Sequence, residues 1–213
     1  MKTTLLIVRH GESLGNRDER FLGHTDLGLS ELGKKQAEAL TAALCGRHID
    51  AVYSSDLCRA RMTVEGAATL RGLTVIPERG LREIFAGDWE NRKFDELIAR
   101  WPNERHLWKF DIGNACPPNG EPVAELYSRV YNTFLSIAEQ NPGKTLLIGT
   151  HATPVRALTA RLMGHGLAGM KDIPWAKNAS ITTVEYEDGG LTLVDAADAR
   201  HLEGVSCDPP SKI

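Results

Sequence analysis

Cysteine is scarce in this chain: four residues among 213, with Cys45, Cys58, Cys116 and Cys207 far apart and no Cys-x-x-Cys pair. That spacing suggests neither a disulfide framework nor a zinc ribbon, and it points to a reduced, cytoplasmic protein. Long apolar runs are missing too, since no stretch approaches the roughly 20 residues of a membrane span. The run at residues 5–8 is closed at once by Arg9-His10 and is too brief for a signal peptide. Charge of one sign is not in excess: 25 Lys+Arg against 28 Asp+Glu leave a formal net charge of -3. Such a balance gives no field that would draw the whole molecule to nucleic acid or to an anionic membrane. The seven histidines show no His-Glu-x-x-His and no close carboxylate or thiol spacing, so no metal is expected. Repeats, low-complexity tracts and flexible linkers are absent as well.

What is present is enough for one buried core. With 42% apolar residues in this length, a single domain is expected over residues 1–205, followed by a disordered tail at 206–213 that holds Asp208-Pro209-Pro210. Short apolar runs without polar alternation at 5–8, 51–53, 74–76 and 145–148 read as strands buried on both faces. Runs at 181–186 and 191–194, joined across Asp188-Gly189-Gly190, read as a closing hairpin. Helices fall between them. One is capped by Ser30 and runs to Leu44, with Leu32, Ala39, Leu40 and Ala43 on its inward stripe and Gly46 ending it. A second follows Asp56 and stops near Gly72, and a fourth covers 122–139. The third takes Thr153 as cap and Pro154 in its first turn, turns Val155, Leu158 and Leu162 inward and ends at Gly164. This alternation predicts an α/β class: a three-layer α/β/α sandwich on a mostly parallel central sheet. Residues 92–119, with Phe94, Trp101, Trp108, Phe110 and three prolines, fit no single element. They read either as a lid-like excursion over the sheet edge or as a helical cap that packs its aromatics into the core.

Ligands of open α/β sheets gather beyond the carboxyl ends of strands. There the first strand is followed by Arg9, His10, Gly11, Glu12 and Ser13, the second by Ser54-Ser55-Asp56 and Arg59, and the run at 145–148 by Gly149-Thr150-His151. Each has a structural alternative: a histidine at a strand end is often only hydrogen-bonded, and Arg59 has Asp56 and Glu65 as partners on its own helix. Two arginines, two histidines and helix N-termini on one edge, however, make an anion site that suits phosphate. Two other patterns are set aside. Gly164-His165-Gly166-Leu167-Ala168-Gly169 spells a dinucleotide fingerprint but follows a helix instead of a strand, and Glu104-Arg105-His106 lies inside the aromatic segment. Cys58 reads as a small buried residue in preference to a reactive thiol.

The motif Leu6-Ile7-Val8-Arg9-His10-Gly11-Glu12-Ser13 with Asn16 resembles the nucleophile motif of the histidine phosphatase superfamily, the phosphoglycerate-mutase-like fold. Ordered matches follow: Gly23-His24-Thr25-Asp26 with Leu29-Ser30-Glu31-Leu32-Gly33, Tyr53-Ser54-Ser55-Asp56-Leu57 with Arg59, Leu81-Arg82-Glu83-Ile84 with Gly87-Asp88-Trp89-Glu90, Asn119-Gly120-Glu121, and Thr150-His151. The resemblance implies a phosphohistidine formed on His10, with Arg9, Arg59 and His151 around the phosphoryl oxygens and Asn16, Gly23 and Ala152 among the substrate contacts. It implies Glu83 as the proton donor and acceptor, no cofactor, and no metal, because the arginines supply the positive charge. Ala152 stands where the family usually has glycine, Leu22 where many relatives have glutamine, Leu14-Gly15 where a tryptophan is common, and Pro122 where serine follows the glutamate. The segments 83–90 and 117–121 look most like the phosphatase branch, including α-ribazole and broad-specificity phosphatases. The implied activity is hydrolysis of a small phosphorylated metabolite, with a mutase or a non-catalytic phospho-ligand binder as alternatives. A homodimer is compatible with this size without being indicated. The aromatics Trp89, Trp101, Trp108 and Phe110 are a candidate roof for a large apolar leaving group.

Overall fold

The computed structural model describes residues 1–205, and the tail expected at 206–213 lies outside the described residues. The elements run β1 (Thr3–Arg9), α1 (Leu14–Arg17), β2 (Arg20–Phe21), α2 (Glu31–Leu44), β3 (Ala51–Ser54), α3 (Cys58–Thr69), β4 (Val75–Pro77) and β5 (Arg92–Lys93). They continue with α4 (Phe94–Arg100), α5 (Pro102–Phe110), α6 (Val123–Glu139), β6 (Thr145–Thr150), α7 (Ala152–Leu162), β7 (Ile181–Glu187) and β8 (Gly190–Asp198). Six strands form one sheet in the order β4-β3-β6-β1-β7-β8. The first four are parallel to one another, and β7 and β8 extend the sheet antiparallel from β1.

Alternation along β1 divides the core. Leu5 and Ile7 join Leu146, Ile148 and the inward faces of α6 and α7. Leu6 and Val8 point the other way, onto Leu40 and Leu44 of α2 and Val64 and Ala67 of α3. Both faces are covered, which is why the run carries no polar residue, and the chain adopts the expected α/β/α layering. β4 departs from that pattern: it is an edge strand, one residue later than expected, and Ile76 is 42% exposed.

Two helices differ locally from expectation. The buried positions of α2 are Gly33, Gln36, Leu40 and Leu44, while Leu32 and Ala39 are half-buried and Ala43 is exposed. The stripe is rotated because the helix packs its first turn on the backbone after β1: Gln36 Oε1 accepts from Glu12 N at 2.7 Å, and Ser30 Oγ caps Gly33 N at 3.0 Å. α7 starts at Ala152 with His151 at the cap position, so Thr153 lies inside the helix and Leu162 is only half-buried. Thr153 N–H goes to the Glu83 carboxylate, which takes the place of a side-chain cap. Residues 92–119 hold β5, α4, α5 and a 3-10 turn at Ile112–Asn114. Phe94 and Trp108 are buried there, Trp101 is half-buried beneath Arg100, and Phe110 is 55% exposed.

The α2 contact is tight enough to test. A Cβ on Gly33 would stand 2.0 Å from the Glu12 carbonyl oxygen, which belongs to the backbone and cannot swing away. Gly33→Ala is expected to cost about 1–3 kcal/mol of folding stability in chemical denaturation. An unchanged midpoint would show that helix and strand are free to separate.

Candidate active site

Three neighbouring strands bring the candidate residues together. Arg9 at the end of β1 lies in register with Thr150 of β6, and Ser54 of β3 with Gly149. The chain therefore leaves the same edge of the sheet at Arg9-His10, Ser54-Ser55 and Thr150-His151. Arg9, His10, Asn16, Gly23, Arg59, Glu83 and Ala152 line one pocket of about 480 Å³ including its open mouth, together with Arg20, Phe21, Leu22, Phe94, Trp108, Thr153 and Trp175. His151 does not line it; fully buried, it stands with its ring edge-on to His10 at 5.2 Å between centroids.

The two arginines are each 1% exposed and are solvated by backbone. Arg9 Nη1 donates to the Ala176 carbonyl. Arg59 donates from Nη1 to the Thr25 carbonyl at 2.9 Å and from Nη2 to the Gly23 carbonyl at 2.8 Å. Arg59 does not take Asp56 as its partner, because Asp56 is held by Arg82 through two bonds of 2.6 Å. Arg9 Nε, Arg59 Nε and His151 Nδ1 are buried and meet no protein acceptor. Burial lowers the Arg9 pKa to about 10 and lowers that of Arg59 as well, yet both remain cations at neutral pH.

His10 is pushed well below its ordinary value by burial first, then by the Arg59 and Arg9 charges, against a weaker opposing bond to Gly11. Its Nδ1 lies 2.7 Å from the Gly11 carbonyl. A carbonyl only accepts, so Nδ1 carries the proton and Nε2 keeps a free lone pair. His151 is lowered well below its ordinary value by burial and then by Arg59. Its Nε2 meets Ser55 Oγ at 2.8 Å. Asn16 Oδ1 accepts from Ser13 N and Ser13 Oγ, which directs its amide nitrogen elsewhere. Glu83 is 9% exposed, with Oε1 accepting from Ile84 N at 2.9 Å and Oε2 from Thr153 N at 3.3 Å. Cys58, half-buried, has its thiol pushed up to about 11 by burial and by Asp26, so it is no thiolate at neutral pH. Among the described residues, no group of three or more His, Cys, Asp or Glu comes together as metal ligands.

A backing layer fixes these groups. Glu90 receives the backbone N–H groups of His24, Thr25 and Ala86, holding the loop whose carbonyls face Arg59. Gly23 in that loop has φ +52°, and a Cβ there would lie 2.2 Å from Glu90 Oε1 and 2.5 Å from Ala86 Cβ, so only glycine fits. Arg129 of α6 donates to the Gly80 and Arg82 carbonyls while paired with Glu121 at 2.8 Å. Asn178 Nδ2 donates to the His10 carbonyl at 2.9 Å. Arg20, Arg129, Trp175 and Asn178 were not legible as site residues. Only Arg129 leaves a signal, as a cation beside the apolar stripe of α6. Of the aromatics expected as a roof, Trp108 alone lines the pocket, joined by Phe21, Phe94 and Trp175; Trp89 is packed in the core, and neither Trp101 nor Phe110 reaches the pocket.

The fold and this constellation define a phosphoryl-transfer enzyme class. The model of the histidine phosphatase superfamily (branch 1) matches residues 5–199, and the chain belongs to that superfamily. Phosphoserine phosphatase 1 of Hydrogenobacter thermophilus is 32% identical over 201 residues, 93% of each chain. Among solved structures, Bacillus stearothermophilus YhfR is similar with a TM-score of 0.90 at 29% identity, covering 94% of this chain and 99% of that one. A mycobacterial glucosyl-3-phosphoglycerate phosphatase is similar with a TM-score of 0.84 at 27% identity, covering 93% of this chain and 100% of that one.

The neutral histidines carry a pH signature. The unfolded chain takes up protons near pH 6.5 that folded His10 and His151 refuse, so stability falls as pH drops through that value. The slope is up to about 1.4 kcal/mol per pH unit for each histidine. Urea midpoints measured from pH 7.5 to 5.5 are expected to fall for the native chain and to fall less steeply for His10→Gln. Identical slopes would mean that His10 titrates normally in the folded state.

Proposed function

We propose that the protein is a metal-independent phosphomonoester hydrolase that works through a phosphohistidine on a small phosphorylated metabolite in the cytoplasm. The observation that carries this is His10: neutral, with Nδ1 tied to the Gly11 carbonyl and Nε2 free, in a pocket walled by two buried guanidiniums. A phosphoryl group brings negative oxygens to the charges of Arg9 and Arg59 and to the unmatched donors on their Nε atoms. Asn16 supplies an amide N–H, and His151, edge-on to His10 behind the pocket lining with Nδ1 unmatched, backs the same site.

In the first step the Nε2 lone pair attacks phosphorus and the phosphorus–oxygen ester bond breaks. Glu83 gives its proton to the departing alcohol oxygen. In the second step water attacks the phosphohistidine, its proton passes to Glu83, the phosphorus–nitrogen bond breaks, and inorganic phosphate leaves with His10 restored. No charge has to be created on the nucleophile beforehand, because burial and the two arginines already hold the imidazole neutral.

Phosphate release from p-nitrophenyl phosphate, 3-phosphoglycerate and α-ribazole phosphate is expected to persist in EDTA. His10→Ala should lower it by at least about 1,000-fold, and Arg59→Ala should lower kcat/KM by about 100-fold. Interconversion of 2- and 3-phosphoglycerate outpacing phosphate release would replace hydrolase by mutase. Phosphonate binding with no turnover of any ester would leave a binding protein.

A further inference from the structure

Beyond the phosphoryl end, the pocket has two chemically different walls. One is aromatic. Trp108 and Trp175 lie within 20° of parallel at 6.3 Å, Phe21 meets Trp108 edge-on at 5.0 Å, and the Arg156 guanidinium sits 4.2 Å from the Trp175 ring centre. Such a surface takes a flat apolar body.

The other wall is cationic. Arg20 lines the same pocket and uses Nη1 on the Asn91 carbonyl at 2.7 Å. On the two-stranded ribbon of β2 and β5 it stands directly opposite Lys93. Like charges opposite one another on an antiparallel pair are destabilising. The nearby carboxylate of Asp18 does not settle them, because Arg17 takes both its oxygens, at 2.8 and 3.3 Å, and Arg20 and Lys93 act on it only through space. Among the described residues Glu83 is the one carboxylate that lines the pocket, and it sits at the phosphoryl end, so the lining beside Arg20 suits an anion better than an ammonium group.

We propose that the substrate's alcohol is a planar apolar group bearing a second negative charge, its ring on the Trp108–Trp175 wall and its anion on Arg20 with Lys93. This rests on the phosphomonoesterase reading above, and it makes Arg20 a specificity-determining residue.

Kinetics with phenyl phosphate and its meta- and para-carboxyphenyl analogues test it. The better carboxylated ester is expected to exceed phenyl phosphate in kcat/KM by about tenfold, mainly through KM. That ratio should collapse below about threefold in Arg20→Gln and recover in part in Arg20→Lys. Calorimetry with phenylphosphonate and the carboxyphenylphosphonates, which cannot turn over, reads the same preference as a ratio of Kd values. A native protein that treats charged and uncharged ligands alike, or an Arg20→Gln variant that keeps the preference, overturns the proposal. Phosphonate discrimination that Arg20→Gln abolishes, found without phosphate release from any ester, would sink the hydrolase reading and leave this one standing.

Discussion

Two guanidiniums buried without a dedicated carboxylate partner are the constraint on which the rest of this structure depends. Removing a cation from water costs several kcal/mol unless its donors are satisfied, and Arg9 and Arg59 are each 1% exposed. Pairing each with an acid would meet that cost and would also cancel the field that a phosphate meets in the proposed reaction. Carbonyl oxygens solve both problems, since they accept the hydrogen bonds and leave the charge in place. The Gly23 and Thr25 carbonyls do this for Arg59 and the Ala176 carbonyl for Arg9. The loops that carry those carbonyls then have to be held still, which is the work of Glu90 on one side. On the other, Asn178 bonds the His10 carbonyl and the Ala179 N–H bonds the Arg9 carbonyl.

The same field settles the state of the histidines. For His10, burial and two neighbouring cations all oppose a proton on the second nitrogen, and the single Gly11 bond that favours the charged ring is the smallest influence. The balance therefore runs toward the neutral imidazole, and the Gly11 carbonyl decides which nitrogen stays bare. In the proposed reaction, the charges that attract a dianion thereby also keep His10 ready as the nucleophile. The two requirements are met by one arrangement of charge.

The sheet was legible in the sequence because strands covered on both faces read as unbroken apolar runs, and the residues just past them were legible because chemistry at that edge uses charged side chains in an otherwise apolar stretch. Helix faces were less so. The buried stripe of α2 includes Gly33 and Gln36, which a count of apolar positions passes over: the first is small so that the Glu12 backbone can approach, the second spends its amide on that backbone. Trp175 and Asn178 were hidden for a related reason. They lie in a loop without periodicity, and their importance comes from what the fold places opposite them, the Trp108 ring and the His10 carbonyl. Trp89, Trp101 and Phe110 misled because clustering in sequence does not say which side of a short helix faces a pocket.

The start of α7 shows how one local choice serves both fold and chemistry. A side-chain cap at its first turn would satisfy a backbone N–H with a group that has no other task. Here His151 occupies the cap position with its ring turned to Ser55 and His10, and the Thr153 N–H is given to Glu83. The Glu83 oxygens thus accept one amide each, from Ile84 and from Thr153. An ionised carboxylate oxygen can accept two hydrogen bonds, so each keeps a lone pair on which a proton can be carried without breaking either bond. Arg129 and His24 meanwhile hold the Glu83 carbonyl, at 3.4 and 2.9 Å, so the backbone behind the carboxyl is fixed as well. In the proposed reaction Glu83 first gives a proton and then takes one; a group with that task is best mounted so that neither event moves it, and the start of α7 supplies that mounting.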